Sequence, residues 1–141
     1  MIAADDKEPA GRRHTILLLW VGAFIIATVC HVLDIAYGGW LPYKRHAFGL
    51  NVFWTALTFF DPLAVALLLY RRRAGVCLAL FIISIDVLVN ATVGVADFIR
   101  NGRFTLWGLY TQVPVGVFMW VTAPILLRSD RQEQTLDAHG A

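Results

Sequence analysis

The side chains best suited to chemistry in this sequence are carboxylic acids and one histidine that lie inside long apolar stretches. Asp61 and Asp86 are each surrounded by apolar residues, and His31 lies three residues before Asp34. Two carboxyl groups that come close together in an apolar setting share one proton, so that one group acts as an acid and the other as a base. We therefore predict Asp61, Asp86 and His31 as catalytic residues for proton transfer.

Further polar residues recur around these three at helical spacing. In the second apolar stretch they follow one another at intervals of four, three and three residues, and in the third at an interval of four. Residues three and four apart share one face of a helix, so each of these stretches has one polar face. We predict that the following residues contact a ligand: Asp34, Thr55, Thr58, Asn90, Tyr110 and Gln112.

The composition is that of a membrane protein. Hydrophobic residues make up 58% of the 141 residues and charged residues 16%, whereas soluble domains have about 45–50% and about 25%. A soluble protein of this length could not bury that much apolar surface. The net charge is only +2, and the basic residues are mostly at the ends of apolar runs. We therefore expect no nucleic-acid partner.

Four apolar runs are long enough to cross a bilayer. They cover about 15–37, 51–70, 75–96 and 105–127. About 20 residues cross the roughly 30 Å of hydrocarbon as an α-helix, and only a helix satisfies the backbone hydrogen bonds of a single segment in lipid. We predict an all-α integral membrane domain over 15–127, an antiparallel bundle of four transmembrane helices. The polar segments 1–14 and 128–141 are predicted to be short tails.

Basic residues predict which ends face the cytoplasm. Arg12 and Arg13 precede the first run, Arg71–Arg73 fill the turn between the second and third runs, and Arg128 follows the fourth. The opposite loops carry fewer basic residues, so both termini are predicted to be cytoplasmic, in a bacterial plasma (inner) membrane. The short arginine turn makes the second and third helices antiparallel neighbours, and we expect it to be exposed. Aromatic residues such as Tyr43 and Trp54 lie where interfacial aromatic side chains are found.

Depth in the membrane singles out the two central carboxyl groups. Asp61 lies about ten residues before the arginine turn and Asp86 about thirteen after it, so both are near mid-depth. A carboxylate at a helix centre costs about 2.5–3.5 kcal/mol on insertion scales. We therefore expect both to face the bundle interior and each other. No Lys or Arg lies within the runs, which leaves protonation, His31, hydrogen bonds from Asn90 and Thr58, a bound cation or a cationic ligand to stabilise them.

Structural roles remain open for the same residues. Asp61 precedes Pro62 and would bond backbone groups that the proline frees. Asp86 with Asn90 would join helices by hydrogen bonds. His31 with Asp34 would anchor the first helix at the membrane surface.

The function we favour from the sequence is binding, with acid–base processing, of a lipophilic small molecule such as an isoprenoid or a sterol-like lipid. The four-helix topology, the acidic groups in the bundle and the run from Tyr110 to Pro114 (Tyr-x-x-x-Pro) are loosely similar to the emopamil-binding and sigma-2 receptor superfamily. The acidic and histidine positions of that superfamily do not match one by one. The resemblance therefore serves as an analogy, and no site residue is transferred.

Two other functions fit the same pattern. A titratable carboxyl group in a small bundle suits a proton-coupled transporter subunit, which at this size would have to act as a homo-oligomer. The small multidrug exporters carry a glutamate in their first helix. The first apolar run of this chain has no glutamate, and its only acidic residue is Asp34. A non-catalytic partner of a membrane complex would instead use the polar stripe to contact another chain. Beyond the lipid bilayer, we expect no cofactor and no metal, because no ligand spacing is diagnostic.

Overall fold

The computed structural model describes residues 10–102 and 107–139, with side chains described for 11–102 and 108–128. The helices of this part are α1 (Ala10–Gly38), α2 (Phe48–Tyr70), α3 (Arg72–Asn101) and α4 (Trp107–His139). Each contains a segment long and apolar enough to cross a membrane. The predicted all-α class and the four candidate spans are thus confirmed, and they indicate a multi-pass membrane protein.

The helices continue beyond the apolar runs predicted from the sequence. α1 begins at Ala10 and α4 ends at His139, so residues 10–14 and 128–139 of the predicted tails are helical. These segments contain Arg, Gln, Glu and Ala, which favour helix without needing an apolar environment. Residues 1–9 and 140–141 of the tails lie outside the described residues.

Each helix packs against the next along the chain, and α1 returns to α4 through the thinnest of the four interfaces. The core runs along the inside of the bundle and includes Trp20, Leu57, Leu68, Val76 and Met119. Large apolar side chains also cover the outside of all four helices, as expected where the surroundings are hydrocarbon. We call the end that carries residues 39–47 the loop end, and the end at Arg71 the turn end.

The connection between α2 and α3 is the single residue Arg71. It folds the start of α3 so tightly onto α2 that a Cβ on Gly75 would overlap the backbone of Leu68. Arg71 and Arg73 are exposed, but Arg72 is half-buried and its Nε has no hydrogen-bond partner among the described residues. The expectation of a fully exposed arginine turn is therefore wrong at Arg72, because the Nε of this side chain is buried.

Alanine at position 75 is expected to destabilise the bundle by about 1–3 kcal/mol, because an added methyl group must push α2 and α3 apart. The change is measured as a shift in the unfolding midpoint in detergent micelles. Gly22→Ala is the matched control, since a Cβ there has nothing within 4 Å. Alanine should leave that helix as stable as before or slightly more stable. Equal midpoints for Gly75→Ala and Gly22→Ala would contradict the tight contact.

Candidate functional site

A chain of polar side chains leads from the surface at the loop end into the bundle. The Tyr43 hydroxyl donates to Asp34 Oδ2 at 2.7 Å, and His31 Nδ1 lies 2.9 Å from the same hydroxyl. On the other side of the imidazole, His31 Nε2 lies 3.9 Å from Asp61 Oδ2. We call these four residues the Asp34–Asp61 chain. It begins at an exposed carboxylate and ends at a residue that is 2% exposed.

Asn51, at the start of α2, holds the loop that places Tyr43. Its side-chain amide donates to the carbonyl of Leu41 and accepts from the backbone N–H of Tyr43, both at 3.0 Å. Leu41 has a φ of 59°, in the left-handed region that non-glycine residues rarely adopt. The two hydrogen bonds stabilise this loop conformation. Tyr43 in turn packs on Trp54, with ring centroids 5.3 Å apart.

Burial, together with the neighbouring Asp34 carboxylate, raises the pKa of the Tyr43 hydroxyl. The hydroxyl therefore keeps its proton at physiological pH and donates it to Asp34. Its oxygen then accepts from His31, which requires a proton on Nδ1. In a neutral imidazole this leaves Nε2 as an acceptor directed toward Asp61.

Asp61 lies in a turn of α2 with several unpaired polar groups. Pro62 has no N–H, so the carbonyl of Thr58 loses its helical hydrogen bond. The Thr58 hydroxyl is buried and has no partner among the described residues. Among the described residues, the Asp61 carboxyl group faces His31, whose Nε2 is 3.9 Å from Asp61 Oδ2. This distance is too long for a hydrogen bond. The structural role considered for Asp61 was a hydrogen bond to backbone groups freed by Pro62. The described residues show no such hydrogen bond.

Asp86 on α3 is also buried but has a hydrogen-bond partner. Asn90 Nδ2 donates to its Oδ1 at 3.0 Å, and the Trp54 side chain of α2 lies near the same carboxyl group. Asp61 and Asp86 are close enough to interact electrostatically. Both residues turn away from the outer surface, as expected. The two carboxyl groups differ in that Asp86 accepts from a described donor and Asp61 does not.

Helix α4 contributes Gln112 to this level of the bundle. Gly108 packs against Asn90 so closely that a Cβ on the glycine would lie 2.7 Å from Asn90 Oδ1. Because α3 and α4 are antiparallel, Gln112 one turn further along α4 lies level with Asp86. Its Oε1 is buried and has no hydrogen-bond partner among the described residues.

Two of the predicted ligand-binding residues lie apart from this group. The Tyr110 side chain is 71% exposed, on the outside of the bundle. It is two residues from Gln112, and residues at that spacing do not share a helix face. The Thr55 hydroxyl is buried but donates to the Asn51 carbonyl of its own helix at 2.7 Å. Asp34 joins the group only through Tyr43.

Sequence reasoning missed the roles of Tyr43 and Trp54, which it assigned to the membrane interface. A signal for Trp54 was present, because it lies four residues before Thr58 and seven before Asp61, on the same helix face. Tyr43 gave no such signal, because its position depends on the conformation of an irregular loop.

An apolar cleft of about 300 Å³ lies at the thin interface between α1 and α4. Its lining residues are Leu19, Ala23, Pro114, Val115, Phe118 and Met119. The cleft lies on the turn-end side of the polar residues. Val115 and Met119 are three and seven residues beyond Gln112 and share its helix face, so the α4 wall of the cleft leads to that amide.

No group of three or more His, Cys, Asp or Glu side chains among the described residues is arranged to hold a metal ion. Comparison with known proteins gave no match to any protein-family model, curated protein or solved structure.

Proposed function

We propose that the protein binds a lipophilic small molecule whose polar head group lies among Asp61, Asp86 and His31, where acid–base chemistry acts on it. The hydrocarbon part of the molecule occupies the cleft between α1 and α4. The loop end faces away from the cytoplasm of a bacterial cell and both termini lie inside. The basic residues at the turn end and next to the termini favour this orientation.

Unpaired buried polar atoms are the observation that carries this proposal. The Thr58 hydroxyl and the Gln112 carbonyl oxygen are both buried without a partner among the described residues. Buried polar groups in native proteins nearly always have one, and leaving a group unpaired costs about 1–3 kcal/mol. A bound head group would supply the missing hydrogen bonds.

The type of atom indicates the class of head group. Gln112 offers an unpaired carbonyl oxygen. The Thr58 backbone carbonyl freed by Pro62 and the Asp61 carboxylate are also acceptors. A ligand that satisfies them must donate hydrogen bonds. We therefore propose a lipophile with a hydroxyl or a protonated amine as its head group.

The two carboxyl groups have different roles in this proposal. Asp86 receives a hydrogen bond from Asn90, which favours a carboxylate held in a fixed orientation. Asp61 has no such donor among the described residues and has His31 beside it. Asp61 is thus the group that exchanges a proton with the ligand, and His31 is the group that exchanges a proton with Asp61.

The test is the molecule that copurifies with the protein. Wild-type protein, Asp61→Asn and Asp97→Asn are purified in a mild detergent, and their organic extracts are compared by mass spectrometry. We expect one lipophile with a hydroxyl or amine group in the wild type. Its amount should fall about tenfold or more in Asp61→Asn, because a hydrogen bond to a charged group contributes about 1.5–3 kcal/mol and tenfold corresponds to 1.4 kcal/mol.

Asp97→Asn makes the same chemical change at the loop end of α3, where Asp97 accepts from Asn101. It should retain the copurified molecule at the wild-type level. Equal amounts in all three proteins, or extracts that contain only bulk lipid, would contradict the proposal.

A further inference from the structure

We infer that the Asp34–Asp61 chain conducts protons between the aqueous phase at the loop end and the buried Asp61 carboxyl, with Tyr43 as the essential relay residue. This activity needs no ligand. It therefore stands or falls separately from the binding function proposed above.

The order of the groups is that of a proton path. Tyr43 and His31 lie between two carboxyl groups, and each can accept a proton at one position while donating another. Both hydrogen bonds at Tyr43 are short, at 2.7 Å to Asp34 and 2.9 Å to His31. The separation of 3.9 Å between His31 and Asp61 is about 1 Å longer than a hydrogen bond. The transfer therefore requires the Asp61 carboxyl group to rotate toward Nε2 while the His31 contact with Tyr43 is kept.

The outward transfer of one proton along the chain conserves both protons and charge. Protonated Asp61 gives its proton to His31 Nε2, and His31 Nδ1 gives its own proton to the Tyr43 oxygen. Tyr43 passes its original hydroxyl proton to Asp34, which releases one proton to water. Asp61 ends as a carboxylate. His31 and Tyr43 remain neutral, but His31 now carries its proton on Nε2, and the Tyr43 hydroxyl proton faces the bare Nδ1. Inward transfer is the reverse sequence.

Tyr43 does not stop the transfer by ionising, because burial and Asp34 raise the pKa of its hydroxyl. The other titratable groups that act on the chain are Cys30, which influences Tyr43, and Asp86, which influences both Tyr43 and Asp61. From α4, the neutral Gln112 lies at this level of the bundle. No lysine or arginine is recorded in contact with the four side chains among the described residues.

Among the described residues, the path reaches the surface at Asp34 and meets apolar side chains beyond Asp61. Asp34 is exposed at the loop end. Beyond Asp61, toward the turn end, the interior is filled by fully buried apolar side chains of α2 and α3: Ala64, Leu68, Val76 and Ala79. These residues offer no group that accepts a proton. The side chains of α2 and α3 beyond Asp61 therefore carry no proton toward the turn end.

Time-resolved infrared spectroscopy of the protein in nanodiscs tests this path. The carboxyl C=O band of Asp61 is first assigned by its loss in Asp61→Asn. A rapid pH jump is then applied, and the rate at which the band changes is measured. In Tyr43→Phe, which keeps the ring but removes the hydroxyl, we expect the rate to fall by about tenfold or more. The final amplitude should stay near that of the wild type.

Tyr70→Phe is the matched control, because Tyr70 is exposed at the turn end and should exchange at the wild-type rate. Asp34→Asn provides a second variant at an exposed position and should also slow the change. A Tyr43→Phe rate equal to the wild-type rate would overturn the inference. So would an Asp61 band that does not respond to pH, or a Tyr70→Phe variant that is slowed as strongly.

Discussion

Replacing Asp61 with leucine is expected to stabilise the protein against unfolding while removing both binding and proton exchange. Asp61 is almost completely buried and accepts no hydrogen bond from a described residue. Leucine removes the free-energy cost of burying a polar group that has no hydrogen-bond partner, which is about 1–3 kcal/mol. The measurement is the midpoint of unfolding in mixed micelles as sodium dodecyl sulfate is added, followed by circular dichroism.

Asp34→Leu is the control for this experiment, because Asp34 is exposed and accepts a hydrogen bond from Tyr43. Leucine there should leave the midpoint unchanged or lower it. A lower midpoint for Asp61→Leu than for the wild type would mean that the carboxyl group holds the helices together. That result would favour a structural role over a functional one. A higher midpoint together with a lost lipophile would show that Asp61 is kept for function at the expense of stability.

Alanine at position 20 is expected to cause the largest loss of stability among single changes in the bundle, about 3 kcal/mol or more. Trp20 is fully buried, and its Nε1 donates to Thr122 Oγ1 at 3.0 Å across the α1–α4 interface. Removing a buried tryptophan side chain loses its packing contacts and leaves a cavity. Because α1 and α4 share the thinnest interface, this interface should open first. Unfolding midpoints in detergent measure the loss.

Trp120→Ala is the matched control for this change. Trp120 is 58% exposed on the outside of α4, and its Nε1 donates to Ser84 at 3.1 Å. Its loss should cost about 1 kcal/mol or less, because little packing within the protein disappears. Similar losses for the two tryptophans would show that the bundle does not depend on Trp20 to hold α1.

Features that depend on helical periodicity could be predicted from the sequence. The length of the apolar runs predicted the four helices, and the single turn at Arg71 made α2 and α3 neighbours. The free energy of burying a carboxylate predicted that Asp61 and Asp86 would face inward, which their low exposure bears out. These predictions succeed because one helix face and one depth decide each of them.

Features that depend on loop geometry could not be predicted. Tyr43 reaches His31 because the loop turns back at Gly39 and Leu41, both with positive φ, and because Asn51 holds it there. Nothing in the spacing of these residues encodes that conformation. Tyr110 was predicted as a ligand contact from its depth along the helix, and its side chain lies on the outside of the bundle. A polar residue can be assigned to a site only when both its position along the helix and its helix face match those of the other site residues.

The position of the apolar cleft between α1 and α4 also determines in which units the ligand concentration should be expressed. Leu19 in its lining is more than half exposed, so the cleft opens on the outside of the bundle. In the proposed function, the ligand enters it from the acyl chains rather than from water. A ligand that enters there arrives by diffusing in the plane of the membrane. The fraction of protein with bound ligand then depends on the mole fraction of ligand among the lipids. Adding ligand-free lipid at a fixed amount of ligand should therefore lower that fraction.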